Sequence, residues 1–271
     1  MTPPLGIEIS PAATPIANQR FIEASGLGTT IRPDFVAVTC GTGGKLESGT
    51  PYDLIQRLER LQLQVIPHLT GSYKTPAAVN QELQELTRLG VKRLLALRGD
   101  VNPQQQPTGY FPHATNLIHY IKQHSKLKIA AAAYPERHLE SDTWGTELFY
   151  LRAKVQAGAT ELFTQFCFDT PAIVSWLDRI HAADIQVPVV VGVLPLTSRT
   201  RIQQAETMLG HPLPNELQNR LATARTEAEL RMLGIQVALE QIQALRQRGV
   251  GIQIYTFNDV KLLQTILQVG Y

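Results

Sequence analysis

Eight short apolar or β-branched runs recur along this sequence, and amphipathic stretches of helical length separate most of them. Buried parallel strands have this appearance in a sequence. Eight strand–helix alternations favour a closed (β/α)8 barrel, the TIM barrel of the α/β class, over an open doubly wound sheet. The predicted strands span residues 6–10, 35–39, 64–69, 93–97, 128–133, 162–168, 187–194 and 251–256.

Local signals predict where several helices begin and end. Gly90, Gly158 and Gly249 follow helical stretches, at the position where glycine commonly ends a helix. Asp169-Thr170-Pro171 offers N-cap residues and a proline suited to a first helical turn. The predicted helices include residues 52–61, 77–89, 114–123, 147–157 and 171–182.

The interval between the seventh and eighth strands, residues 195–250, departs from this rhythm. It contains the turn-forming segment GHPLP at residues 210–214 and then a helical composition over residues 215–248. We predict a short helix, a turn and one long helix, which gives the barrel an extra helix here. The 271 residues suit a barrel, which typically takes ~250, so a single catalytic domain over residues 1–271 is predicted.

Composition excludes several classes of function. A net charge of +2 with dispersed Lys and Arg does not predict a nucleic-acid partner, and no stretch of ~18 apolar residues predicts a membrane span. Cys40 and Cys167 form no CxxC pair, which indicates buried thiols and no metal centre. The first residues lack a signal-peptide pattern, so a cytoplasmic location is expected. Residues 41–44 (GTGG) follow a strand without forming a G-x-G-x-x-G dinucleotide site.

Functional residues of a barrel gather at the carboxyl ends of its strands. Glu8 lies within the first strand, where a carboxyl facing the interior would have a raised pKa and could act as a general acid. An outward-facing Glu8, or an ion pair with a neighbouring arginine, is the alternative. The same rule selects Thr39, His68, Arg98, Gly99, Asp100, Tyr134, His138, Gln165 and Tyr255.

The segment Arg98-Gly99-Asp100 follows an apolar strand directly. Its glycine allows close approach of a ligand, its arginine supplies a fork of donors, and its aspartate supplies a fixed charge. The alternative is a salt bridge within the loop. For His68 and His138 there are likewise two alternatives, a contact with a ligand or a structural role.

Period-two alternation places Gln165 in the barrel interior, where its amide would need a hydrogen-bond partner. That partner could be either a substrate or a neighbouring side chain. Cys167 would share the inward face as a small core residue. Lys154 would be an ordinary solvated helix charge unless a phosphate lies nearby.

These strand-end segments, in their order, resemble the methylenetetrahydrofolate reductase family from residue 6 to residue 256. The resemblance implies a flavin-dependent barrel of one-carbon metabolism, commonly homo-oligomeric, that passes a hydride from NADH or NADPH through FAD to 5,10-methylenetetrahydrofolate, giving 5-methyltetrahydrofolate. The segments that carry it are GIEISPA, FVAVTCG, VIPHLT, LLALRGD, AAAYPERH, LRAKVQAGA, LFTQFCFD, VGVLPL and IYTFN.

The resemblance also implies roles for individual residues. Glu8 matches the family's general acid, Asp100 the carboxylate beside the flavin and the folate, and Gln165 a contact of folate and nicotinamide. Tyr255 is assigned to the same substrate site. The flavin contacts implied are Thr39, His68, Arg98, Gly99, Asp100, Ala114, Ala132, Tyr134, His138, Glu147 and Lys154.

The chain departs from the family pattern at several positions. Cys40 and His113 stand where aromatic residues are common, Arg199 where some members have an aromatic, and Asp259 where the family has arginine. These changes bear on the folate-tail and nicotinamide contacts. A flavin-independent reductase of the same substrate, and a non-catalytic folate-binding or assembly paralogue, are the alternative functions.

Overall fold

Eight parallel strands close into a barrel in a computed structural model that describes residues 2–40, 50–100 and 104–269. Each strand pairs with the next in the chain, and the eighth pairs with the first, so the predicted (β/α)8 barrel is confirmed. The GTGG segment lies outside the described residues. The strands are β1 (Leu5–Ile9), β2 (Phe35–Val38), β3 (Val65–Thr70), β4 (Arg93–Leu97), β5 (Lys128–Ala133), β6 (Glu161–Thr164), β7 (Val189–Val193) and β8 (Gly251–Tyr255).

The helices surround this barrel, and the five that were predicted by range lie within a few residues of their expected bounds. Asp169 caps its helix by accepting a hydrogen bond from the Ala172 amide, as expected. Within the described residues no helix has the length and apolar character needed to cross a membrane. The helices are α1 (Pro15–Ser25), α2 (Thr50–Arg60), α3 (Pro76–Arg88), α4 (Ala114–His124), α5 (Trp144–Ala157), α6 (Thr170–Ala182), α7 (Arg199–Leu209), α8 (Asn215–Leu221), α9 (Glu227–Gln247) and α10 (Val260–Val269).

A small apolar cluster fills the interior of the barrel. It takes one residue from each of the six strands β2 to β7: Phe35, Ile66, Leu95, Ala130, Phe163 and Val190. The Phe35 and Phe163 rings meet edge to face at 5.5 Å. Gly6 leaves the space that the Phe35 ring occupies, because a Cβ at that position would lie 2.3 Å from the ring. The interior is therefore a packed core, as is usual for this fold.

The amino-terminal end of the barrel is closed by a charged pair. Arg93, the first residue of β4, lies over the Phe35 ring at 5.3 Å, and its guanidinium is 3.1 Å from the Glu161 carboxylate on β6. A larger apolar layer packs between the outside of the barrel and the helices. With one end and the outside covered, the carboxyl ends of the strands are left to form a cavity.

The long helix predicted over residues 215–248 is wrong, because the chain there forms two helices, α8 and α9. Thr226 caps α9 by accepting a hydrogen bond from the Glu229 amide at 3.1 Å. The Glu229 carboxylate in turn accepts one from the Arg225 amide at 2.7 Å. This T-x-x-E pattern is close to a capping box and starts a new helix. The sequence prediction missed the break between α8 and α9 because the residues on both sides of it have a helical composition.

The sixth strand is also shorter than predicted, since it ends at Thr164 and not at residue 168. The predicted alternation holds as far as Gln165, which faces the interior cavity, as Phe163 faces the interior cluster. It does not extend to Cys167, which lies in the layer between barrel and helices, where its thiol donates to the Asp169 carbonyl at 3.6 Å. The inward placement of Cys167 was therefore wrong, because the chain turns after the strand.

Thr226→Ala should lower the free energy of unfolding by about 1 kcal/mol, because the first turn of α9 loses its capping hydroxyl. Urea unfolding followed by circular dichroism measures the change. Thr207→Ala is the matched control, since the Thr207 hydroxyl bonds only the Gln203 carbonyl inside α7, and a change within about 0.5 kcal/mol is expected. Equal effects of the two substitutions would contradict the capping role.

Candidate active site

A cavity of about 500 Å³ opens at the carboxyl ends of the strands. Its floor is the interior cluster, since Leu95 and Phe163 belong to both. The structure brings together around this one cavity every residue that the sequence proposed for catalysis, cofactor or substrate. They are Glu8, Thr39, His68, Arg98, Gly99, Asp100, Ala114, Ala132, Tyr134, His138, Glu147, Lys154, Gln165 and Tyr255.

Glu8 lies deep in the cavity, with its side chain only 15% exposed. Its carbonyl accepts hydrogen bonds from the amide and the hydroxyl of Thr256, which fix its backbone to the end of β8. Its carboxylate accepts one from the Gln253 amide nitrogen at 2.8 Å. Burial raises the Glu8 pKa to about 8, although the bond from Gln253 opposes the rise. The alternatives of an outward side chain or an arginine pair are therefore excluded.

His68 approaches the same carboxyl from β3. Its Nε2 atom is buried, lies 3.8 Å from the Glu8 carboxylate and has no hydrogen-bond partner in the described part of the chain. Burial lowers the His68 pKa to about 4, so the ring is neutral when Glu8 is protonated near neutral pH. The contact is then one between two neutral groups. Tyr255, on β8, donates its hydroxyl to the Thr164 carbonyl at 3.4 Å. Burial raises the pKa of the Tyr255 hydroxyl well above its ordinary value.

The segment at residues 98–100 forms one wall of the cavity. The Arg98 guanidinium lies 2.7 Å from the Glu140 carboxylate, so this arginine does take part in a salt bridge, although with a residue from the next connection. Gly99 has a φ of +91°, and a Cβ there would lie 3.0 Å from Thr70. The glycine thus permits both a left-handed backbone and close packing. Asp100 is exposed at the cavity surface.

Lys154 is not the solvated helix charge that its position in a helix suggested. Its ammonium donates to the Ala132 carbonyl at 2.8 Å and lies 5.6 Å from the centre of the Tyr134 ring. Burial lowers its pKa, and the nearby Glu147 opposes that shift. Glu147 is itself buried, in the first turn of α5, where its carboxylate accepts from the His138 amide at 3.0 Å.

His138 is held in a defined orientation beside these groups. Its Nδ1 accepts a hydrogen bond from the Glu140 amide at 3.1 Å, and its ring meets the Tyr134 ring edge to face at 4.7 Å. Its pKa is lowered, chiefly by burial. Gln165 uses its amide oxygen to accept from the Phe166 amide at 3.0 Å, so a neighbouring group of the protein does supply one of its partners.

Sequence reasoning missed several polar residues that line the cavity, and two of them, Gln253 and Glu140, bond directly to predicted site residues. Gln253 shares the inward face of β8 with Tyr255, and period-two alternation from Tyr255 would have found it. Glu140 lies in an irregular connection after β5, where no periodicity operates. Only its place two residues after His138 could have drawn attention to it.

The departures from the family pattern fall in different places. His113 lines the cavity and caps α4, where its amide donates to Asn116. Cys40 is buried. Arg199 is 79% exposed and lies 3.4 Å from Glu227. Asp259 accepts two hydrogen bonds from Arg231, at 2.8 and 3.0 Å. Arg199 and Asp259 are thus engaged in ion pairs away from the cavity lining.

A barrel with protonatable and charged side chains converging at the carboxyl ends of its strands defines an enzyme of the (β/α)8 class. The cavity combines an apolar floor, a neutral carboxyl deep inside, and cations on one side. Such a site can bind a flat ring system that carries anionic groups and can deliver a proton to it.

Comparison with known proteins agrees with this class. The family model for methylenetetrahydrofolate reductase matches residues 3–270. The 5,10-methylenetetrahydrofolate reductase of Pectobacterium carotovorum is 31% identical over 243 residues, covering 88% of this chain and 80% of the relative. The Escherichia coli enzyme of that name is 29% identical over 242 residues, with the same coverage. The chain therefore belongs to the methylenetetrahydrofolate reductase family, a family of oxidoreductases.

The fold is shared with a solved structure of low sequence identity. A protein from Clostridium thermocellum that binds two copies of 5-methyl-5,6,7,8-tetrahydrofolic acid aligns with a TM-score of 0.72 at 14% identity. The alignment covers 99% of this chain and 96% of that chain. At this level of identity the likeness shows the barrel fold alone.

The raised pKa of Glu8 predicts how stability depends on pH. The folded state holds a proton up to about pH 8, whereas the unfolded chain releases it near 4.5. The contribution of Glu8 to the free energy of unfolding therefore falls as the pH rises from about 4.5 to about 8, and Glu8→Gln should remove this contribution. The variant should gain on the order of a few kcal/mol relative to the native chain between pH 5 and pH 8.5.

Urea unfolding of both proteins at several pH values measures this difference. Glu23→Gln, the same substitution on the exposed side of α1, is the control and should follow the native chain. Parallel curves for the native chain and Glu8→Gln across this range would show that the Glu8 pKa is not raised.

Proposed function

We propose that this protein reduces 5,10-methylenetetrahydrofolate to 5-methyltetrahydrofolate with NADH or NADPH, and that it uses FAD. The observation that carries the proposal is Glu8, a carboxyl whose pKa of about 8 keeps it protonated at neutral pH inside the cavity. It stands in a chain of the methylenetetrahydrofolate reductase family. We further propose that residues 1–271 act as a single catalytic domain.

The lining of the cavity fits FAD. Leu95, Leu97 and Ala132 offer an apolar surface for a flat ring, and Arg98 and Lys154 supply cationic donors for a diphosphate. The buried Nε2 atom of His68 has no hydrogen-bond partner within residues 2–40, 50–100 and 104–269, and we propose that it bonds to the cofactor. FAD would supply the hydride transfer between the nicotinamide and the folate. Thr39, Gly99, Ala114, Tyr134, His138 and Glu147 complete the proposed cofactor site.

Glu8 would donate the proton that opens the five-membered ring of the substrate. Ring opening converts a nitrogen into a leaving group and yields an iminium ion, so a proton must arrive at that nitrogen. A carboxyl with an ordinary pKa would be ionised at pH 7 and could not give one. Burial of Glu8 in the barrel keeps the proton in place until the substrate accepts it.

Asp100 would stabilise the positive charge that develops on the substrate. An iminium ion is a cation, and a carboxylate fixed at the cavity surface favours it electrostatically. Gln165, directly after β6, and Tyr255, at the end of β8, would contact the substrate ring, because both line the same cavity as Glu8. A pair of carboxyl groups in different surroundings, one of which donates a proton, is a recurrent arrangement in enzymes that use acid catalysis at neutral pH.

A cytoplasmic location and a homo-oligomeric state belong to the proposal as well. Both rest on the family resemblance. Light scattering of the purified protein would measure the assembly directly, and fractionation of the cells would give the location.

The visible absorbance spectrum of the purified protein tests the proposal. We expect a flavin spectrum that bleaches anaerobically with NADH or NADPH and returns when methylenetetrahydrofolate is added. A colourless protein that takes up no added FAD but still reduces the folate would favour a flavin-independent reductase. Folate binding without turnover in the presence of FAD would favour a non-catalytic paralogue.

Glu8→Gln should separate the two half-reactions. The amide cannot donate a proton at pH 7, so folate reduction should fall by 10²-fold or more, roughly the range of a lost general acid. Reduction of the flavin by NAD(P)H should change little, because that step needs no proton from Glu8. Stopped-flow absorbance measures both steps, with Glu216→Gln on the exposed side of α8 as the control. An equal loss in both steps would assign Glu8 a structural role.

A further inference from the structure

Gln253 is an unusual residue for the interior of a barrel. It is only 2% exposed, yet its amide oxygen has no hydrogen-bond partner among the residues that the structure describes. Its amide nitrogen donates to the Glu8 carboxylate at 2.8 Å. A buried acceptor without a partner costs stability, and an apolar side chain of the same length would avoid that cost. The amide is therefore best explained by what it does for Glu8.

The two protonation states of Glu8 make opposite demands on their neighbour. An ionised carboxylate only accepts hydrogen bonds, whereas a protonated carboxyl also carries a hydroxyl that needs an acceptor. The Gln253 amide has a donor and an acceptor at the same distance along its side chain. A half-turn about its last side-chain bond exchanges them, so Gln253 can donate to the carboxylate or accept from the acid.

Strand geometry places the amide where this exchange can take place. Glu8 on β1 is in register with Tyr255, and Gly6 with Gln253, so Gln253 is the diagonal neighbour of Glu8 on the same inward face. Gly6 has no side chain to stand between them. The backbone of Glu8 is fixed by Thr256, so the amide can turn while the carboxyl stays in place.

Other titratable groups face this pair. His68 from β3 and Tyr255 from β8 are nearest in the fold. Burial lowers the His68 pKa to about 4 and raises the Tyr255 pKa, so both side chains are uncharged at neutral pH. The Gln253 amide also hydrogen-bonds the Tyr255 side chain, which opposes the rise in the Tyr255 pKa that burial causes. Neither His68 nor Tyr255 can alternate between donor and acceptor without a change of tautomer or loss of its own bond. The remaining titratable groups of the cavity lining are Arg98, Asp100, His113, Tyr134, His138, Glu140, Glu147, Tyr150 and Lys154.

We propose that Gln253 is a positioning residue whose amide follows the Glu8 carboxyl through its protonated and ionised forms and holds it in one orientation in both. The inference rests on the proposed function only for its catalytic consequence. The hydrogen-bonded pair itself can be observed without turnover. Through this partner, Glu8 could give up its proton and take another without leaving its place beside the substrate.

Infrared difference spectra across pH 5–10 test the pairing on the purified protein. The carbonyl band of protonated Glu8 is the band that Glu8→Gln lacks. In Gln253→Met the carboxylate loses its donor and the protonated carboxyl loses its acceptor. Because the hydrogen bond to the charged form is the stronger of the two, the midpoint of that band should rise by about one pH unit. The band should also move to the higher frequency of a carboxyl whose hydroxyl has no acceptor.

Gln241→Met is the matched control. Gln241 is a second buried glutamine, on α9, whose amide donates to the Cys167 carbonyl and the Thr170 hydroxyl. It should leave the Glu8 band unchanged. Gln253→Asn is a second variant in case Gln253→Met does not fold, because it keeps the amide but withdraws it by one carbon. The same direction of shift is expected.

Catalysis supplies an independent readout. Gln253→Met should slow folate reduction about tenfold or more, since the acid is no longer held in position, and should move the pH profile of that step upward. Flavin reduction by NAD(P)H should stay within twofold. An unchanged Glu8 band in both Gln253 variants, or no protonated Glu8 band in the native chain at neutral pH, would overturn the proposal.

The two proposals fail in distinguishable ways. A shifted Glu8 band with no folate reduction in any preparation would refute the proposed function and leave the role of Gln253 standing. If the protein reduces folate but Gln253→Met changes neither the Glu8 band nor the pH profile, the role of Gln253 alone would be refuted.

Discussion

Water solvates a carboxyl poorly when it points into a barrel, and this constraint on Glu8 shapes the whole cavity. Burial raises the pKa of Glu8 to about 8, so the group is an acid at neutral pH without any neighbouring charge. The surroundings are consistent with that state, because His68 is neutral there as well. Charged groups such as Arg98 and Lys154 bond instead to Glu140 and to the Ala132 carbonyl. The deep part of the cavity around Glu8 and His68 is therefore uncharged at neutral pH, whereas Arg98 and Lys154 lie on a charged wall.

Much of this arrangement could be predicted from the sequence, because the carboxyl ends of all eight strands lie at the same end of a barrel. Each strand-end residue points to the same end of the fold, so residues far apart in the chain, such as Glu8, Gln165 and Tyr255, meet at one cavity. The barrel itself could be predicted because eight apolar runs separated by helices are compatible with few other topologies, and the structure confirms it. The roles implied by the family resemblance stay predictions until they are measured.

Other features could not be predicted, since they depend on where regular structure stops. Cys167 was placed inward by an alternation that ends at Thr164, and no sequence signal marks that turn. The break before α9 did have a signal, Thr226 with Glu229, which the helical composition on both sides concealed. The Glu140 partner of Arg98 comes from an irregular connection, where contacts follow from the tertiary fold alone.

The acid and its amide partner lie on the first and last strands, 245 residues apart in the sequence. Their meeting point is the seam where β1 and β8 join, which is the last strand pairing of the barrel that synthesis of the chain makes available. A growing chain that has not yet produced β8 has an ordinary, solvated glutamate at position 8. The acid that we propose therefore forms only when the ring of strands is complete, and the seam makes the raised pKa of Glu8 a consequence of finished folding.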